Sequence, residues 1–144
     1  MVLAPGDPGI TRTYMRKFDV IDPWQLDGRY TFSSAVRRGP FLFISGLIAR
    51  DPETGKVAGK GDIAAQADFI FRTMGKILEA AGGSFDDVVK TTDYVTTLER
   101  YNETAAVRRK YFRNGFPSAT GVVVKALVNP DAMIEIDAIA ILDK

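Results

Sequence analysis

Two acids interrupt the last apolar run of the chain. Met133-Ile134-Glu135-Ile136-Asp137-Ala138-Ile139-Ala140-Ile141-Leu142 carries no other polar residue. Its β-branched content predicts a strand. Residues two apart on a strand share a face, so both carboxylates point the same way. A carboxylate at the edge of a dry pocket is harder to ionise, and near neutral pH it can take a proton and give it back. The plainer alternative is a solvated strand face.

Composition narrows the chemistry further. The chain has 144 residues, with no histidine and no cysteine. Thiolate nucleophiles, disulfides, Cys or His metal sites and Ser-His-Asp chemistry are therefore excluded. Neither a metal nor an organic cofactor is called for, and proton transfer falls to Asp, Glu, Lys, Tyr, backbone or water. The formal net charge is +1, from 19 basic and 18 acidic residues. A nucleic-acid footprint needs a basic domain with clustered Lys and Arg. Only Arg37-Arg38 and Arg108-Arg109-Lys110 are dense in positive charge, and both fit a solvated surface. No apolar run reaches membrane-spanning length and no basic-then-apolar leader opens the chain, so a soluble, cytoplasmic protein is expected.

One domain is expected over residues 30–144, preceded by a partly irregular extension over residues 1–29 whose first ten residues form a mobile tail. Tyr30 to Val36 alternates, Arg38-Gly39-Pro40 turns, and Phe41 to Ile48 follows as a strand buried on both faces. Asp62 caps a helix that ends at Gly82-Gly83. Ile63, Ala67, Ile70, Phe71, Met74, Ile77, Leu78 and Ala81 keep its 3.6-residue period, while Gln66, Arg72, Lys76 and Glu79 form its wet side. Val88 to Thr96 reads as a strand and Leu98 to Phe112 as a second helix. Phe116 to Val124 and Met133 to Leu142 read as two strands paired across the Asn129-Pro130-Asp131 turn. Two helices on one face of a mostly antiparallel or mixed sheet make an α+β sandwich. The other sheet face, including Val122, Val124, Ile134 and Ile136, is then apolar and uncovered, which predicts a homo-oligomer.

The chain resembles the RidA (YjgF) family over about residues 30–142. The resemblance rests on Phe43-Ile44-Ser45-Gly46, Ala64-Ala65-Gln66-Ala67, Ile77-Leu78-Glu79-Ala80-Ala81-Gly82, Val88-Val89-Lys90-Thr91-Thr92, Tyr101-Asn102, Tyr111-Phe112, Phe116-Pro117 and Ile134-Glu135-Ile136-Asp137-Ala138-Ile139-Ala140. Each piece is weak alone; their order and spacing are specific. The resemblance implies a chorismate-mutase-like fold, a homotrimer and clefts between subunits. It implies hydrolysis of reactive imines and enamines such as 2-aminoacrylate to a ketone and ammonia.

Carried over residue by residue, Glu135 matches the catalytic carboxylate, Ser45 the serine before a glycine, and Asn102 a substrate-side asparagine. Two positions depart from the pattern. Phe32 stands where the resemblance implies a pocket tyrosine, and Ala119 where it implies a carboxylate-binding arginine. Thr120 and Gly121 beside it offer one hydroxyl and backbone amides, and Arg113 is the nearest other guanidinium. The departure at Ala119 points to a substrate without an α-carboxylate or to another role. A non-catalytic small-molecule-binding or regulatory protein is the alternative, and an RNA-binding or ribonuclease-like protein a second one, against which the near-neutral charge speaks.

Overall fold

A computed structural model describes residues 17–26 and 29–143. The expected mobile tail lies outside the described residues. Among the described residues six strands form one sheet and two α-helices cover one of its faces. The strands are β1 (Asp19–Ile21), β2 (Ala35–Arg38), β3 (Phe41–Leu47), β4 (Val88–Val95), β5 (Ser118–Val123) and β6 (Ile134–Ile141), in the spatial order β1-β2-β3-β6-β4-β5. The helices are α1 (Ile63–Ala80), between β3 and β4, and α2 (Thr104–Tyr111), between β4 and β5. All neighbours pair antiparallel except β4 and β5, which are parallel. Parallel neighbours need a long crossover, and α2 supplies it. This is the α+β sandwich the sequence predicts.

The core is the α1 stripe laid on alternate strand residues. Asp62 Oδ1 accepts from Ala65 N at 3.0 Å and starts the helix. Ile63, Ala67, Ile70, Phe71, Met74, Ile77, Leu78 and Ala81 are all buried, against Leu42, Ile44, Ile134, Ile136, Ala138 and Ala140 of the sheet. Each large apolar side chain so buried contributes about 1.5–3 kcal/mol. Phe71, Phe85, Tyr111 and Phe112 pack edge-on or tilted and tie α2 to α1. Arg108 of α2 lies over Phe71 and Phe112, donates to Thr91 Oγ1 at 2.9 Å and faces Asp93 at 3.6 Å.

Several expectations need correction. The runs ending in β5 and β6 do not pair with each other: β4 lies between them. A turn signal shows that the chain reverses, not which strand it then joins. Residues 29–34 are irregular and β2 begins at Ala35, and the preceding extension supplies the edge strand β1. Strand β3 is not buried on both faces, because Phe41 and Phe43 alternate with Leu42 and Ile44 and are each 45% exposed. Ile134 and Ile136 face the helices; on β6 the uncovered face belongs to the intervening row, Glu135, Asp137, Ile139 and Ile141. Gln66 is not on the wet side of α1. It is fully buried, donating to Asp131 O at 3.0 Å and accepting from Met133 N at 2.8 Å. A buried amide satisfied at both ends fits a core that an unpaired one would destabilise. The second helix is shorter than expected, and Asn102 precedes it in the 3-10 turn Tyr101–Glu103.

Candidate functional site

The site forms where β3 bends against β6. Ile44 pairs with Ala138 and Leu47 with Ile136, so Ser45 and Gly46 together oppose Asp137. This extra residue is a β-bulge, which twists the strand and re-aims nearby side chains. Ser45 N donates to Ser34 O at 3.0 Å and Ser45 Oγ to Ser33 O at 2.6 Å. The bulge is thereby tied to the irregular stretch before β2. Glu135 fills the space at Gly46: a Cβ there would lie 2.7 Å from Glu135 Oε2. A side chain at residue 46 would compete with the carboxylate for that position.

A cavity of about 560 Å³ opens at this bulge. Val20, Trp24, Leu26, Tyr30, Phe32, Leu47 and Ile48 give it apolar walls. Asp22, Ser45, Arg50 and Glu135 are among its polar residues. Phe32 is 61% exposed and stacks on Tyr30, with ring centroids 5.4 Å apart. Desolvation, seconded by the negative charge of Asp137, raises the Glu135 carboxyl above the usual glutamate range. Asp137 accepts from Tyr94 Oη at 3.2 Å, a bond Glu135 lacks among the described residues, and its charge pushes the Tyr94 phenol up. The two acids on one face therefore differ in environment: one is held by a phenol, the other stands against a glycine in a cavity.

Of the seven residues singled out from sequence, three line this cavity: Phe32, Ser45 and Glu135. The other four lie elsewhere in the chain. Ala119, Thr120 and Gly121 sit on β5, with β6 and β4 between them and β3. Thr120 accepts from Lys90 Nζ at 2.5 Å. Ala119 pairs with Thr91, whose side chain faces the helices, so it points to the opposite sheet face from Glu135. A Cβ at Gly121 would come within 2.9 Å of Tyr101 Oη, which donates to Asp93 at 2.7 Å. Asn102 is exposed, and Arg113 Nε donates to Lys110 O at 3.1 Å. The cavity also takes in Gly46, Asp22 and Arg50, to which the sequence assigns no site role. A glycine inside a predicted strand was a usable signal for the bulge; the other two lie in loops without periodicity.

The family model described as Endoribonuclease L-PSP matches residues 25–142. The chain belongs to the RidA (YjgF) family. A RutC family protein of Pyrococcus horikoshii is 40% identical over 109 residues, covering 76% of this chain and 85% of the relative. The human 2-iminobutanoate/2-iminopropanoate deaminase is 36% identical over 110 residues, covering 76% and 79%. The crystal structure of RidA from an Antarctic Psychrobacter superposes with a TM-score of 0.75 at 30% identity, covering 89% of this chain and all of that one. The two-helix, mixed-sheet architecture described above is thus the RidA fold. No helix among the described residues is long and apolar enough to cross a membrane.

Proposed function

We propose that this RidA-family chain hydrolyses a small reactive imine or enamine to a carbonyl compound and ammonia, with Glu135 as the proton carrier. The observation that carries this reading is the raised Glu135 carboxyl standing over Gly46 at the cavity. Imine hydrolysis asks little more of a protein. The Glu135 carboxylate takes a proton from water as the water oxygen bonds to the imine carbon. The resulting carboxylic acid returns that proton to the nitrogen of the tetrahedral adduct. The carboxylate next takes the hydroxyl proton of that adduct and passes it to the nitrogen as the C–N bond breaks, so ammonia leaves, the carbonyl forms and one water is consumed per imine. A carboxyl above its ordinary range serves both half-steps near neutral pH. Ser45 Oγ is hydrogen-bonded to a backbone carbonyl and, with no histidine to activate it, orients the bulge rather than attacking.

The working form in this reading is a homotrimer. Phe41, Phe43, Val122 and Ile141 leave large apolar surfaces exposed on the face away from the helices. A face of this kind is normally covered by a partner. A second copy presenting its β5 edge to this cavity would bring Thr120 and the β5 amides next to Glu135, from which β4 separates them within one chain. The test is ammonia release from imines generated in situ from amino acids and from amines, for wild type and Glu135→Gln. Acceleration by wild type and its loss in the variant support the reading, and equal rates with and without protein overturn it.

A further inference from the structure

The chain has three asparagines, Asn102, Asn114 and Asn129, and their surroundings differ in one chemical respect. The backbone nitrogen of the following residue can attack an asparagine Cγ, closing a five-membered imide and expelling ammonia. That nitrogen must carry a hydrogen, be free of a hydrogen bond and have little bulk beside it. Asn129 precedes Pro130, which has no N–H. Asn102 precedes Glu103, whose N–H donates to Arg100 O at 3.0 Å. Asn114 precedes Gly115, in the loop between α2 and β5, and both residues are exposed. Among the described residues the Gly115 N–H makes no hydrogen bond. Gly115 has no side chain to crowd the attack, and its φ of 132° lies where only glycine is at ease.

One contact restrains the Asn114 amide. Nδ2 donates to both carboxylate oxygens of Asp86, at 3.0 Å each. Asp86 belongs to the 3-10 turn Phe85–Asp87 that opens β4. Holding Nδ2 limits the rotation that carries Cγ onto the Gly115 nitrogen. The same contact decides what the reaction does to the fold. An aspartate at 114 is an acceptor only, and it would face the Asp86 carboxylate across the distance the hydrogen bonds now span. Two carboxylates so close repel. The β-linked product adds a further backbone carbon to the crossover between α2 and β5.

We propose that Asn114 is a site of spontaneous deamidation, gated by Asp86, and that its product releases the α2–β5 loop from the turn before β4. The Gly115 nitrogen gives its proton to solvent and bonds to Asn114 Cγ. The Cγ–Nδ2 bond breaks, and Nδ2 takes a proton from water and leaves as ammonia. Water then opens the imide at either carbonyl, giving aspartate or β-linked isoaspartate. One water enters and one ammonia leaves, with nothing oxidised or reduced. Asn114 and Asp86 lie outside the cavity at Glu135, so this chemistry is independent of the hydrolytic reading above.

The test ages the full chain at pH 6 and pH 8.5 and follows it by peptide mapping, isoaspartate detection and thermal melts. At pH 8.5 the peptide carrying Asn114 should convert to aspartate and isoaspartate over days, and more slowly at pH 6, because the attacking nitrogen must lose its proton. The peptides carrying Asn102 and Asn129 should stay intact. Asp86→Ala should speed the conversion roughly two- to tenfold, the scale of one hydrogen bond. Asn114→Asp should melt roughly 2–5 °C below wild type. Aged wild type should move toward that value, while Asn114→Gln should not change with age. An Asn114 that converts no faster than Asn102 and Asn129 overturns the site. A rate that is unchanged or slower in Asp86→Ala overturns the gate, and Asp86→Ser takes its place if the alanine variant does not fold. An Asn114→Asp protein that melts with wild type overturns the release.

Discussion

Glu135 and Gly46 share one space: the carboxylate of the first occupies the position a side chain on the second would take, 2.7 Å from a Cβ built there. The β3 bulge is what brings the glycine opposite the acids of β6. Gly46→Ala must displace the flexible carboxylate, the backbone or both. Turnover of an imine substrate should fall roughly tenfold or more, since positioned acid–base groups contribute about 10²–10⁴ and lose much of that when misplaced. The melting temperature should change little, because the clash is with the end of a side chain. Steady-state kinetics beside a thermal melt checks both halves.

Glu135→Gln keeps shape and hydrogen-bonding capacity and removes the titratable proton. It should lower kcat by roughly a hundredfold or more, with sedimentation and melting profile close to wild type. Equal turnover by both proteins would sink the acid–base role. A large loss of stability would instead make Glu135 a structural group.

The neighbouring charge of Asp137 contributes to the raised Glu135 carboxyl. Removing it should stabilise the ionised form of Glu135. In Asp137→Asn the acid limb of the pH–rate profile should therefore move to lower pH, toward the ordinary glutamate value of 4.5. An acid limb that stays in place would separate Asp137 from the titration.

The same shift has a consequence for stability. Glu135 is harder to ionise in the folded chain, so the folded state binds more protons than the unfolded state between the ordinary value and the raised one. The contribution is complete below the unfolded value and is lost as pH rises through the folded one. Glu135→Gln should thus gain stability relative to wild type on going from pH 4 to pH 7. Urea midpoints at the two pH values would show the crossover, and a constant difference would contradict it.

Gln66 joins α1 to the turn before β6 through Asp131 O and Met133 N. Gln66→Ala leaves both backbone groups without this partner and opens a void in the core. A loss of about 2–4 kcal/mol is expected. Chemical denaturation would measure it, and a loss below about 1 kcal/mol would mean that water replaces the amide.

Much of the fold was legible because periodicity is a local property. The α1 stripe from Ile63 to Ala81 repeats every 3.6 residues, and each of its members is buried where the pattern put it. The alternation of Glu135 and Asp137 with isoleucine and alanine placed both acids on one face, away from the core. Local pattern cannot say which strand pairs with which. The insertion of β6 between β3 and β4 depends on contacts between residues far apart in sequence, and it decided that Ile134 faces the helices and Glu135 the cavity. Nor can it distinguish a buried glutamine from an exposed one, since the partners of Gln66 lie at residues 131 and 133. Residue types alone determined that any proton transfer here falls to a carboxylate, lysine, tyrosine or water. Only the tertiary structure put Gly46 under Glu135 and set Asp22 and Arg50 in the same cavity, because those juxtapositions arise from loops and a bulge whose geometry is fixed by what they pack against.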